Sequence, residues 1–319
     1  MMSQAASILI MQSMKNHKLV YKLIISIISV FLIATLTFFL FELMPGSIYS
    51  VDNIKSEVAI QNIIQKYGLD RPIQERYLKM LQNLVHLDFG NSFVSNGLSV
   101  REIIAEHFPI SMWLGTVALA AAIVNGVITG AVMNHFRGKT ISKVLRGILM
   151  LCYSFPTFEI AVLAQYYFCV KMKWFPVVCS SDKNAMLLPI MLLSLTPMTF
   201  IARLVDVKLE EERKKDHVMA ARLRGVGRMQ IFFFYKLKNC LTPIITLTGS
   251  LFASMIAGSF VIETIYSIPG LGKYFVTSIV NRDYPLVLGL TIFYSILVIS
   301  VNYVAEVLVA MNSRGKVER

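Results

Sequence analysis

Apolar residues in this chain gather into long runs separated by polar stretches. Six runs, at roughly 23–43, 109–133, 147–170, 185–202, 240–262 and 285–311, are long enough to cross a membrane. A helix rises about 1.5 Å per residue, so a hydrocarbon core about 30 Å thick needs about 20 apolar residues. The first run follows Lys15, Lys18 and Lys22, as a secretory leader would, but it is too long for one. No Ala-x-Ala-like cleavage site follows, so the pattern predicts a retained anchor. Met11 and Met14 are alternative starts to Met1. The predicted organisation is an N-terminal segment 1–22, a first span 23–43, a loop 44–108, a five-span body 109–311 and a tail 312–319. Two polar segments interrupt this plan. In 44–108, Ile73, Tyr77, Met80, Leu81, Leu84 and Val85 repeat at helical spacing and predict a small cap, able to touch a partner or shape an entrance. The other segment is 203–238, between the fourth and fifth spans.

Composition agrees with a membrane chain. Of 319 residues, 55% are hydrophobic and 16% charged, against about 45–50% and about 25% in soluble domains. The net charge of +12 is interleaved between apolar runs and forms no continuous basic face, which argues for membrane orientation and against nucleic acid. Lys and Arg crowd the N-terminus, 134–146, 203–238 and the tail. Few lie in the short loops on the other side. The positive-inside rule therefore predicts a multi-pass protein with both termini and 203–238 in the cytoplasm and 44–108 outside.

Candidate chemistry is sparse. Cys152, Cys169, Cys179 and Cys240 have no metal-ligand spacing, and no histidine lies mid-membrane, so no metal site is expected. There is no G-x-x-x-x-G-K-[ST], G-x-S-x-G, H-E-x-x-H or CxxC. The expectation is a non-catalytic subunit without a cofactor of its own, driven by a partner or an ion gradient.

The 203–238 segment carries the strongest local pattern. The run from Lys208 to Lys215 is dense in mixed charge and reads as a solvated helix. Asp216 is a good N-cap, His217–Arg224 can form a short helix, and Gly225 can close it in the left-handed conformation. Ala220 and Ala221 would lie on its surface, where small side chains let a partner approach. Gly227–Asn239 then leads to Pro243, which suits the first turn of the fifth span. An ordinary capped helix is the plainer alternative.

Elsewhere, Asn125, Gly126 and Gly130 suit either a pathway or close helix packing. Pro156 should kink the third span. Glu159 falls near the middle of that span, where a charge costs about 2.5–3.5 kcal/mol, with Phe155, Pro156, Val162 and Leu163 as helical neighbours. Three readings stay open: a protonated, packed acid; a pair with a partner subunit; or a group facing a translocation pathway and balancing positive charge on the cargo. Residues 263–285, rich in Gly and Pro, suit a turn or a re-entrant element.

Asp216-His-Val-Met-Ala-Ala-Arg-Leu-Arg-Gly225, followed by Asn239 and Pro243, resembles the "EAA" loop of ABC-importer permeases, in the spacing of the dipeptide/oligopeptide/nickel branch. Met44-Pro-Gly46, Tyr67-Gly-Leu-Asp-Arg-Pro72, Leu87-Asp-Phe-Gly-Asn-Ser92, Ser154-Phe-Pro-Thr-Phe158, and Glu263 with Ile268-Pro-Gly-Leu-Gly272 and Asn281-Arg-Asp-Tyr-Pro285 resemble other motifs of that branch, in order. Met219, Ser47-Ile48, Asn312-Ser313 and Glu159 depart from its pattern.

The resemblance implies an all-α membrane fold of six spans, like a type I importer permease, in a bacterial inner membrane. It implies a second homologous permease subunit, two cytoplasmic ATPases that bind the ATP, and an external binding protein delivering small peptides or nickel-type metal chelates. Asp216, Ala220, Ala221, Arg222, Gly225, Asn239 and Pro243 would then couple to an ATPase. Glu263, Pro269, Gly270, Gly272, Arg282 and Asp283 would belong to an outer gate. The alternatives are a secondary transporter or channel, which would favour paired intramembrane charges or an inverted repeat, and a purely structural anchor.

Overall fold

A computed structural model describes residues 2–43, 65, 68, 70–95, 97–179 and 183–314. The Met44-Pro-Gly46 motif, most of 44–69 and the tail from 315 lie outside the described residues. Among the described residues the main helices are α1 (Met2–Glu42), α2 (Ile73–Val85), α3 (Val100–His135), α4 (Thr140–Ser154), α5 (Thr157–Ala164), α6 (Leu187–Arg213), α7 (Asp216–Leu223), α8 (Lys238–Ile265), α9 (Leu271–Val280) and α10 (Tyr284–Arg314). Among the described residues, five helices are long and apolar enough to cross a membrane, and α4 with α5 makes a sixth if the bent pair counts as one span.

That bend is larger than the kink expected at Pro156. The axes of α4 and of the helical stretch beginning with α5 differ by 100°. Proline has no N–H to continue the ladder, and its ring pushes the preceding residue out of the helical region. Phe155 accordingly stands at φ −88°, ψ 137° and Pro156 at φ −58°, ψ 134°. The helix stops at Ser154 and restarts at Thr157, so Glu159 lies in the first turn of a new helix. Beyond α5, Gln165–Lys171 winds as a π-helix.

The chain divides into two compact units. One comprises Met1–Glu102 with Ser278–Ile299. Its core is a small cluster of Ala34, Phe38, Met80, Leu288 and Ile292, with Tyr77, Leu84 and Tyr284 against it. The apolar stripe expected in 44–108 is α2, whose Met80 is buried. The Arg76 guanidinium meets the Glu42 carboxylate, with Nη1 at 3.1 Å from Oε2, and both side chains are largely buried.

The second unit comprises Ile103–Thr277 with Ser300–Arg319 and is built around α6. Some 61% of the apolar window of α6 is buried within the chain, which makes it the central helix of this unit. Gly126 and Gly130 set how closely α3 approaches it. A Cβ on Gly126 would stand 2.8 Å from Ile201 Cβ, and one on Gly130 2.5 Å from the Ala202 carbonyl. These glycines are packing positions, as small residues in membrane helices commonly are; Asn125 beside them is exposed. In the same unit, a Cβ on Gly249 of α8 would reach 2.0 Å from Ala305 Cβ of α10.

Candidate functional site

The 203–238 segment departs from its expected form at its first half. The charged run from Lys208 continues α6 to Arg213 and is not solvated all round. Ala202, Val205, Asp206, Leu209 and Glu212 are buried at intervals of three and four, the inward stripe of an amphipathic helix. Two acids thus lie on the buried face, and each is answered. Asp206 accepts from Arg146 at 2.8 Å, lies 3.5 Å from Arg137, and its carbonyl accepts from Asn134 Nδ2 at 3.1 Å. Glu212 meets Lys215 Nζ, accepts from Asn239 Nδ2 at 2.9 Å, and lies 3.4 Å from His217 Nε2. One carboxylate therefore gathers the end of α6, the start of α7 and the start of α8.

α7 spans Asp216–Leu223. Asp216 does not cap it. Lys215 holds the extended N-cap conformation, and no side chain bonds the free N–H groups. Asp216 stands one position later, in the first turn, where a carboxylate still complements the helix dipole. The C-terminus closes as expected. Gly225 stands at φ +76°, its N–H bonds the Arg222 carbonyl at 3.0 Å, and the Val226 N–H bonds the Ala221 carbonyl at 3.1 Å. This pair of bonds is the Schellman motif, which needs a left-handed residue that glycine supplies without steric cost.

The two alanines divide between faces. Ala221 is buried with Val218 and Ile231, against Val226 and Tyr235. It holds α7 to its own loop and is not part of the outer surface. Met219 and Leu223, 63% and 85% exposed, point outward, with Asp216 and the half-buried Ala220 beside them. Sequence reasoning did not single out Met219 and Leu223 as outward-facing, although their spacing of four was readable. Arg222 is exposed. Pro243 is internal to a continuous helical stretch, because Ile231–Leu237 runs into α8 as a π-helix; it does not sit in a first turn. Asn239 also donates to the Tyr235 carbonyl at 3.1 Å, at the junction of the two windings.

The 263–285 segment forms two anchored turns, one in each unit. Glu263, fully buried near the end of α8, accepts from the N–H groups of Gly272 at 2.7 Å and Lys273 at 3.3 Å, so its carboxylate sits at the N-terminus of α9. The glycines make room for it. A Cβ on Gly270 would stand 2.4 Å from Glu263 Oε2, and one on Gly272 2.8 Å from the same atom. Ser111 Oγ accepts from the Leu271 N–H at 2.8 Å, and the Pro269 carbonyl meets His107 Nδ1 at 3.0 Å. In the other unit, Asp283 is buried just before α10. It takes the Ser92 hydroxyl and the N–H groups of Phe93 at 3.1 Å and Val94 at 3.4 Å. Arg282 precedes it at φ +55°. The Leu87–Ser92 and Asn281–Pro285 motifs therefore meet.

Glu159 is exposed in the chain. Among the described residues, no group of three or more His, Cys, Asp or Glu could hold a metal ion.

A helical membrane body carrying a short helix closed by a Schellman motif on a polar loop is the architecture of an integral membrane subunit. Residues 126–317 match the family described as "Binding-protein-dependent transport system inner membrane component", and the chain belongs to that family. It is 34% identical over 278 residues to the dipeptide transport system permease protein of Bacillus subtilis (strain 168), covering 87% of this chain and 90% of the relative. It is 33% identical over 285 residues to the oligopeptide transport system permease protein of Haemophilus influenzae, covering 89% and 93%. The fold is similar to the inward-facing MetNI methionine ABC transporter, with a TM-score of 0.51 and 18% identity over 66% of this chain and 96% of that one. A crystal structure of an amino acid ABC transporter with histidines gives a TM-score of 0.52 at 13% identity, over 66% and 94%. The chain is thus an ABC-importer permease subunit and not its catalytic part, and the reading as a secondary transporter or channel is set aside.

Proposed function

We propose that this subunit imports small peptides, pairs with a second permease, and takes its drive from cytoplasmic ATPases through α7. The observation that carries the coupling role is the outward face of α7. Met219, Ala220 and Leu223 form a small apolar surface on a helix whose other face is packed and whose C-terminus is closed by Gly225. An exposed apolar patch on an anchored helix is a docking element. Glu212 ties that helix to α6 and α8, so a push on α7 is passed to two spans.

Peptide cargo is supported by the dipeptide and oligopeptide names of the relatives, which favours it over nickel-type chelates. Delivery by an external binding protein and cytoplasmic termini complete the reading, on the strength of the family description and the charge distribution. Glu159 belongs to the pathway in this reading, exposed at the break between α4 and α5 and free to meet a peptide amine. Glu263, Gly270 and Gly272 brace the turn before α9 near the outer gate, and Asp283 braces the turn at 92–94.

Leu223→Glu tests the coupling. It should leave the amount of permease in the membrane unchanged and abolish co-purification of the ATPase subunits together with uptake. Wild-type co-purification and uptake in that variant would remove α7 from the coupling path.

A further inference from the structure

We propose that α2 is an interfacial helix, seated in the headgroup boundary of the lipid at the Glu42 end of α1, with Leu78 and Val85 immersed in that boundary. α2 is apolar over a wider arc than its packing uses. Met80, Leu84 and Tyr77 face the cluster around Phe38. Leu78 and Val85, at the far edge of the apolar arc, are 58% and 80% exposed, while Glu75, Lys79 and Gln82 occupy the polar side. An apolar flank left open beside a filled one is what an amphipathic helix presents to a membrane surface.

Depth identifies the occupant. The span Ile24–Glu42 has a mean hydropathy of 2.7, and only 17% of its apolar window is buried within the chain. Its 19 residues rise about 28 Å, close to the full hydrocarbon thickness, which places Glu42 at the boundary. Arg76 meets Glu42 there. Tyr77 reaches further in, with its hydroxyl 2.9 Å from Thr35 Oγ1, seven positions and about 10 Å below Glu42. Its ring lies 5.6 Å from that of Phe39, which is itself 43% exposed among Leu36, Leu40 and Leu43 on the open side of α1. The open flank of α2 thus continues the lipid-facing surface of α1, at the depth of about 5–10 Å where interfacial helices lie.

The test uses the assembled transporter in nanodiscs of phosphatidylethanolamine and phosphatidylglycerol. Single cysteines at Leu78, Val85 and Gln82, in a background without the four native cysteines, are labelled with an environment-sensitive fluorophore. A shallow spin-labelled lipid should quench positions 78 and 85 about twofold more than position 82. Equal quenching at all three, or protection of 78 and 85 in the complete complex but not in the isolated permease, would overturn the proposal; the second result means a protein covers the flank. Because removing buried cysteines can harm folding, a photoreactive phenylalanine analogue at Leu78 in the otherwise native chain gives an independent answer. Crosslinks to phospholipid are expected, and crosslinks to another subunit alone refute it.

Discussion

Glu212 shows how much one side chain does in the 203–238 loop. Its carboxylate is buried, yet it holds Asn239 on α8 and reaches Lys215 and His217 around the start of α7. A hydrogen bond to a charged acceptor contributes about 1.5–3 kcal/mol, and a buried charge that loses its partner costs more. The Lys215 contact adds less, because that side chain is half exposed and solvent screens it. Asn239→Asp is the sharpest perturbation, since it sets a second carboxylate against Glu212. It should uncouple uptake from ATP hydrolysis, with basal ATPase activity retained, while Asn239→Ala has a milder effect. Equal uptake per ATP in the wild type and Asn239→Asp would show that the Glu212 bond plays no part in transmission. Asn239 stood out in the sequence through its motif spacing. Glu212 did not, because one acid in the mixed-charge run from Lys208 to Lys215 reads as solvent-facing. Only the stripe from Ala202 through Leu209 reveals that it turns inward.

At the scale of elements, α7 was legible because its closing signal is local. A left-handed glycine after a short helical pattern has few other uses. Its facing was less legible, since eight residues give only two turns from which to read a periodicity. The structure separates two substitutions that look alike on paper. Ala220→Arg adds bulk to the outward surface and should block docking without disturbing the loop. Ala221→Arg drives a charge into the contacts with Val218, Ile231 and Tyr235 and should loosen α7 itself, at about 2–4 kcal/mol for an uncompensated buried group. Limited proteolysis in detergent distinguishes them: cleavage within 213–238 should rise for Ala221→Arg and stay at the wild-type level for Ala220→Arg. The break between α4 and α5 was only half legible. Pro156 announced an interruption, but the 100° turn depends on Phe155 adopting an extended conformation, which a proline permits and does not require. The π-wound stretches at 165–171 and 231–237 left no mark in the apolar pattern.

For the whole molecule, run length and motif order carried the membrane fold, because both are long-range regularities that survive local irregularity. Orientation rests on the charge count and has a direct test. Single cysteines at Glu75 and Lys214, both exposed, should differ in intact cells toward a membrane-impermeant thiol reagent, with position 75 labelled and position 214 protected. The opposite pattern would invert the topology. What the sequence could not supply is the pairing of distant turns, because a carboxylate's partner across the chain leaves no periodic trace.

The Asp283 latch also has a consequence for biosynthesis. The groups it binds at 92–94 leave the ribosome 191 positions before Asp283 does, counting from Ser92. At about 5–20 residues per second, on the order of ten to forty seconds separate the two. Throughout that interval the turn that follows α2 waits without its acceptor, while four more spans enter the bilayer. A nascent chain arrested before Asp283 should therefore carry an N-terminal region already inserted but still unlocked, open to quality-control proteases until the last span arrives.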